Sequence, residues 1–520
     1  MLLQPQSNTL DHDDGPALNR RNASVMVVPA AFIIFIAVVV LFARAKDYGL
    51  LGFDTYPIII TSRIQSFEDL KDNFTEKLMH GRYTSDFYRP LVNLSFALDY
   101  SIWGLRPSGY HLTNTMLFGA CAGSLFLLMR RLTGGQSWIA PYVALLFFIL
   151  HPSHWEVIPV PPRRADVMCC LALALSISIQ LDPRALARNR AAVTPAIWMM
   201  LAIASKETAL VFPALSFLVV LLYSKGATFG QRMLHALVAV IPHAIVFLIL
   251  LAARFAVIGG LGGHHSASLF DIIQSIPHIC VFVGNKLVRP ETLSVGLLFG
   301  TWLAFAVLFG LATVAGLTVF RRAMRQGIYG LTGWRWRVLV VALSWAGLLM
   351  VTNAIARIIA PWYLLLAVAS FSMVVGVVVD ALVKARGRGT YLTKGVAGAT
   401  LILVAGWAWG QVRFAPIWYR YEQWSRATQT SDQFFEELLA KIEIAPDGSI
   451  VQAPLIHALP CEQHPAALDG VALFDLYSIQ AWAELSFPDR LVRVVSKYHG
   501  IQTGPGEVVV VVHLPGHMRG

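Results

Sequence analysis

An all-α polytopic membrane protein with a small α/β domain at its C-terminal end is the fold class this sequence predicts, and three observations predict it. Of 520 residues, 56% are hydrophobic and only 14% are charged, whereas soluble domains carry about a quarter charged residues. The mean hydropathy is +0.60. Apolar runs near the ~20 residues needed to cross a bilayer recur along most of the chain, among them Val25–Ala43, Ala209–Tyr223, Met233–Phe255 and Ile358–Val383.

Residues 1–24 are polar and lack the layout of a signal peptide, so the run at 25–43 reads as a retained first helix behind a cytoplasmic tail. Further spans are expected at 112–129, 138–151, 165–181, 191–204, 209–223, 233–257, 293–319, 338–352, 358–383 and 395–411, about eleven in all by apolar length. Together, 25–412 forms the transmembrane domain. The apolar stretch Leu269–Val288 is left out of the count. Its polar punctuation by Asp271, Gln274, His278, Asn285 and Lys286 suits an interfacial or re-entrant segment better.

The net charge of +11 does not point to nucleic acid, because the cations gather in short loops between apolar runs. Arg130–Arg131, Arg184/Arg188/Arg190, Lys225/Arg232, the group from Arg321 to Arg337, and Lys384/Arg386/Arg388/Lys394 are those loops. The positive-inside rule assigns them all to the cytoplasm. The first loop, 44–111, and the tail, 413–520, then lie outside. Leu91, Leu94, Ser95, Leu98 and Ile102 fall at helical spacing, predicting a helix lying on the membrane surface. The tail is expected to open with an amphipathic helix around Tyr419–Ile444. Strand-like runs follow at Ser449–Ala453 and Glu507–His513, with a helical pattern across Ser478–Ser496. Its aromatics at Phe474–Tyr477 and Trp482–Phe487 read as core. The cysteines (Cys121, Cys169, Cys170, Cys280, Cys461) show neither metal-ligand spacing nor a disulfide framework.

The chemistry-bearing residues fall at the outer helix ends. Asp54 follows the first span amid Leu50, Leu51, Phe53, Tyr56 and Ile58–Ile60, a setting that desolvates a carboxylate and favours it as a proton acceptor. His151-Pro-Ser-His154-Trp-Glu156 caps the third span, and Arg163-Arg164-Ala-Asp166 opens the fourth. Pro152 breaks the helix that would align the two histidines on a metal; hydrogen bonds to sugar hydroxyls and helix capping are the other uses. The third and fifth spans are short, so His151, His154, Lys206 and Glu207 end below the outer surface, where ionisable groups face a cavity by default. A Lys–Glu lock on the hairpin is the structural alternative. Lys286, Arg289, Glu291, Asn353 and Arg357 also lie outside. Cations there run against the positive-inside trend and suit a lipid phosphate, with snorkelling at a helix end as the other reading.

Tyr88-Arg-Pro-Leu91 and Trp103-Gly-Leu-Arg-Pro-Ser-Gly-Tyr-His-Leu-Thr-Asn114 resemble the first outer loop of the transmembrane O-mannosyltransferases that bear tetratricopeptide repeats, and of their bacterial relatives. The segments 151–156 with 164–166, Ser205-Lys-Glu-Thr208 and Arg289-Pro-Glu-Thr-Leu-Ser294 resemble later signatures, and Ala360-Pro-Trp-Tyr-Leu-Leu365 resembles a late one loosely. The match spans roughly 50–370. It implies the GT-C fold, a polyprenyl-phosphate sugar donor, a protein, glycan or glycolipid acceptor, and inversion at the anomeric carbon. By that resemblance Asp54 is the base. Lys206, Lys286, Arg289 and Arg357 hold the donor phosphate. Asp86, Arg89, His151, His154, Glu156, Arg164, Asp166 and Glu207 line the sugar and acceptor pocket. The family's paired acids after the first helix are here Asp54–Thr55, which argues against a divalent metal, and no cofactor is expected. The repeats are absent, so the family's acceptor preference is not transferred. A bacterial inner membrane is the expected location. A flippase for a lipid-linked glycan and an inactive scaffold are the competing readings. The first needs charge near the midplane and usually an internal repeat; Thr55 beside Asp54 supports the second.

Overall fold

A computed structural model describes residues 27–82, 86–182, 193–224, 228–260, 269–288, 333–356, 361–388, 391–418, 421–453, 467–468, 471–472, 474–495 and 503–512. The helices follow the apolar runs. They are α1 (Val27–Leu41), α2 (Thr55–Ser62), α3 (Phe67–Thr75), α4 (Pro90–Trp103), α5 (Pro107–Leu132), α6 (Ile139–Leu150), α7 (Arg164–Gln180) and α8 (Val193–Ser205). Next come α9 (Phe212–Tyr223), α10 (Phe229–Ile258), α11 (Leu269–Val288), α12 (Trp334–Ala356), α13 (Leu365–Arg388), α14 (Tyr391–Val412) and α15 (Tyr421–Ile444). Among the described residues, α5, α10, α12, α13 and α14 are long and apolar enough to cross a membrane, and shorter apolar helices accompany them. The polytopic helical architecture is what the composition predicts. The expected span 293–319 lies outside the described residues. The stretch left out of the count, Leu269–Val288, is one continuous helix packed on α12 rather than a hairpin.

Close helix approach is built on small residues. A Cβ at Gly123 would sit 2.9 Å from the Ala31 carbonyl oxygen, and one at Gly119 3.0 Å from that of Phe35. These glycines, one turn apart, let α5 press on the backbone of α1.

The bundle has two distinct ends. Arg131 pairs with Asp182 at 2.6 Å, the Tyr223 hydroxyl donates to the Leu132 carbonyl, and Arg337 lies over the Tyr223 ring. Asp380 accepts from Ser137 at 2.6 Å and pairs with Arg335 and Lys384. The edges of all the basic loops therefore meet at one end. Among the described residues, Arg89 with Glu207 and Lys206 with Asp166 lie at the other.

Here the first loop forms α2, α3 and α4. Pro90 at the first turn and Arg89 at the N-cap start α4. It buries Phe96 and leaves Leu98 and Ile102 exposed, the two-faced pattern of a surface helix.

The tail begins with α15, as expected, and forms a three-stranded parallel sheet. β1 is Ile450–Gln452, β4 Leu491–Val495 and β5 Glu507–Val511; β2 (Ala467–Leu468) and β3 (Val471–Ala472) make a separate antiparallel pair. β5 lies between β1 and β4, all of its residues buried. The helical pattern expected across Ser478–Ser496 is corrected: α16 covers Leu476–Ser486 and gives way to β4. Pro488 cannot continue the helix, and Val492, Val494 and Val495 are β-branched. Phe474 and Trp482, read from the sequence as core, pack with Phe434 and Phe435 inside the tail. The tail is joined to the first loop. Gly49 N donates to Thr428 Oγ1 at 2.9 Å, Trp424 packs on Tyr48 and Trp155, Phe435 meets Tyr56, and α16 packs along α2.

Candidate active site

Asp54 stands at the N-cap of α2, yet its side chain makes no capping bond. Aspartate at this position ordinarily accepts from the first-turn amides. Here Oδ1 instead accepts from the Tyr477 hydroxyl of α16 at 3.0 Å. Thr55, in the place of a second acid, is fully buried and donates to the Leu51 carbonyl at 2.6 Å. Gly52, at φ +98°, admits the second loop: a Cβ there would lie 2.5 Å from Val160 Cγ1. That loop carries Glu156, 3.9 Å from Arg163. Arg163 in turn lies within electrostatic reach of Tyr477. The Tyr477 phenol is pushed up by burial and by the Asp54 carboxylate, so it remains a proton donor at neutral pH.

A second group forms around the turn between α8 and α9. Lys206 Nζ reaches Asp166 Oδ1 at 2.5 Å, both side chains almost wholly buried, and lies 4.3 Å from the centre of the Tyr363 ring. Arg89 grips Glu207 with two hydrogen bonds, at 2.7 and 3.0 Å. Arg254, near the end of α10, is buried within electrostatic reach of Glu207 and Arg89. Three cations thus face two carboxylates in a poorly hydrated place. Sequence reading left Arg254 inside an apolar run. Its one signal was an arginine deep in a helix of spanning hydropathy, far from Arg232 in the first turn.

Other expected site residues are placed differently. Arg164 is fully buried, 2.6 Å from Asp99, bonded to Asn114 Oδ1 at 2.9 Å and lying over the Phe96 ring. Its contacts tie α7 to α4 and α5. Asp86 pairs with Lys77 at 2.8 Å on the exposed side of the first loop. His151 Nε2 donates to the Leu287 carbonyl and its Nδ1 accepts from Ser153 N, both at 3.2 Å. This contact brings the end of α11, with Lys286 over Phe282, to the second loop. His154 is buried edge-on against Phe118 and Phe148, and burial holds its imidazole well below the usual value. Arg289, Glu291 and Arg357 lie outside the described residues.

No family model matches the chain. It is similar to Protein O-mannosyl-transferase TMTC2 of Mus musculus, 40% identical over 90 residues, which are 17% of this chain and 10% of that protein. To Protein O-mannosyl-transferase Tmtc1 of Drosophila melanogaster it is 36% identical over 126 residues, 24% of this chain and 14% of that one. The chain thus matches only a small fraction of the length of these curated relatives. Among solved structures it is similar to ArnT from Cupriavidus metallidurans in the apo state, with TM-score 0.48 and 14% identity, covering 92% of this chain and 86% of that one. It is also similar to the Archaeoglobus fulgidus oligosaccharyltransferase in the apo form, with TM-score 0.47 and 12% identity over 89% and 63% of the two chains.

The chain resembles the GT-C glycosyltransferases. The segments that carry the GT-C resemblance meet one another in space. Arg164 joins 164–166 to Asn114, Lys206 joins 205–208 to Asp166 and Tyr363, and Arg89 joins 88–91 to Glu207. Besides Arg254, sequence reading missed Tyr477, 423 residues from its partner. Nothing in the local sequence separates it from the core aromatics beside it.

Proposed function

We propose that the protein is a membrane glycosyltransferase that moves a sugar from a polyprenyl-phosphate donor to an acceptor hydroxyl, with Asp54 as the base. One observation carries this reading: an N-capping aspartate whose carboxylate is withheld from its helix, at the bundle end opposite the basic loops. The local match to O-mannosyl-transferases supports sugar transfer as the chemistry. In this reading Asp54 takes the proton of the acceptor hydroxyl as the oxygen attacks the anomeric carbon. The bond from that carbon to the phosphate oxygen breaks, and the lipid phosphate leaves with the electron pair. Lys206, Arg89 and Arg254 supply net positive charge towards that phosphate, with Lys286, Arg289 and Arg357 as further candidates. Preorganised donors aimed at developing charge are each worth about 10²–10³ in rate. Glu156 and Asp166 remain candidates for binding sugar hydroxyls. The site is taken to face the outside of a bacterial inner membrane, since the basic loops bear the cytoplasmic signature.

Turnover of a panel of polyprenyl-phosphate sugars by the protein in lipid nanodiscs tests this, comparing wild type with Asp54→Asn at matched folding. Donor consumption by wild type, reduced about 10²–10⁴-fold in the variant, is expected, and the panel names the sugar. No consumption by wild type, with native membrane extract as the acceptor source, overturns the reading.

A further inference from the structure

A passive appendage on the membrane domain would need no contact with Asp54, yet the tail reaches that carboxylate. α16 is set rigidly. Asp475 caps it through a reciprocal pair with Ser478, whose hydroxyl also donates to the Phe53 carbonyl, one residue before Asp54. Behind it, Trp482 stacks on Phe435 with ring centres 4.5 Å apart, and Phe435 meets Tyr56 of α2. The helix is thus locked to both sides of Asp54 before Tyr477 is considered.

We propose that Tyr477 is a positioning residue for Asp54, so that the C-terminal domain supplies part of the membrane domain's active site. The phenol occupies Oδ1 and fixes the plane of the carboxylate. Oδ2 is then the oxygen left to receive the acceptor's proton. A carboxylate that neither caps its own helix nor is held from outside would rotate about its Cβ–Cγ bond, and proton abstraction depends on a defined lone-pair direction. Arg163 of the second loop, itself 3.9 Å from Glu156, lies within electrostatic reach of the same phenol, so three separate segments converge there. A domain held only by apolar packing would not need a half-buried hydroxyl facing a half-buried acid.

This inference rests on the assignment of Asp54 as the base, and the test separates the two. Tyr477→Phe, Asp54→Asn and the double variant are compared in nanodiscs for kcat and for donor KM. Tyr477→Phe keeps the ring and its packing and removes only the hydroxyl. A hydrogen bond to a charged group is worth enough to lower kcat about 10- to 100-fold, with donor KM unchanged. The double variant should be no slower than Asp54→Asn alone, since without a carboxylate there is nothing to orient. Full kcat in Tyr477→Phe beside an inactive Asp54→Asn overturns the positioning role and leaves the base in place. Losses that multiply in the double variant, or a rise in KM, make the contact structural and also overturn it. Activity retained in Asp54→Asn overturns both. Ser478→Ala, which weakens the docking of α16 and leaves the phenol intact, should lower kcat less than Tyr477→Phe; an equal or larger loss assigns the effect to docking.

Discussion

The two ends of the helical bundle use charge in opposite ways. At the basic-loop end the carboxylate is inside and the cations lean outward: the Asp380 side chain is 0% exposed, Arg335 36% and Lys384 40%. At the opposite end both members of a pair are inside: Arg164 and Asp99 are 0% and 3% exposed, Lys206 and Asp166 2% and 4%. Half-exposed Lys and Arg keep their heads in water at little cost. A buried pair costs several kcal/mol per ion to desolvate, and apolar replacements often match its stability. The first arrangement anchors and orients a protein in a membrane. The second makes sense where an anionic ligand is to be met without water, as the proposed function requires.

The largest effect expected from this contrast is on rate. Asp54→Asn should lower turnover about 10²–10⁴-fold, while Arg335→Ala at the other end leaves kcat near wild type; comparable losses in donor-consumption assays would erase the distinction. Lys206→Ala should cost about 3–5 kcal/mol in detergent unfolding, because it strands a buried Asp166. Replacing the pair together, Lys206→Met with Asp166→Leu, should recover that stability without recovering turnover. If turnover returns, the pair is a strut. Arg335→Ala should cost only about 0–1 kcal/mol, since Ser137 and Lys384 still serve Asp380. The smallest change lies at the tail. Thr428→Val removes one hydrogen bond to Gly49, worth about 1 kcal/mol, and should show as faster limited proteolysis of residues beyond 413.

Much of the fold was legible because apolar length and basic loops are local signals. α1, α5 to α10, and α12 to α14 follow the runs within a few residues, and the loop contacts join the segments that the positive-inside rule had placed together. The helix–strand boundary after Ser486 was misread because an apolar pattern ran on through Pro488, a stop that the pattern itself outvoted. Of the site, Asp54, Lys206 and Glu207 could be singled out by their unusual neighbours. Their partners could not. Glu207, for which a lock with Lys206 was the structural alternative, holds Arg89 from the first loop, and Arg164 finds Asp99. Such pairings join positions tens to hundreds of residues apart, and no periodicity records them.

The order of strands in the tail has a consequence for assembly. Helices of the membrane part can each insert as they emerge, but the sheet has no middle until residues 507–511 exist, because β5 is last in sequence and central in space. Until then β1 and β4 have no shared neighbour, and α16 has no completed floor. If the carboxylate at position 54 depends on that helix, an unfinished or C-terminally clipped chain would reside in the membrane, inserted yet silent.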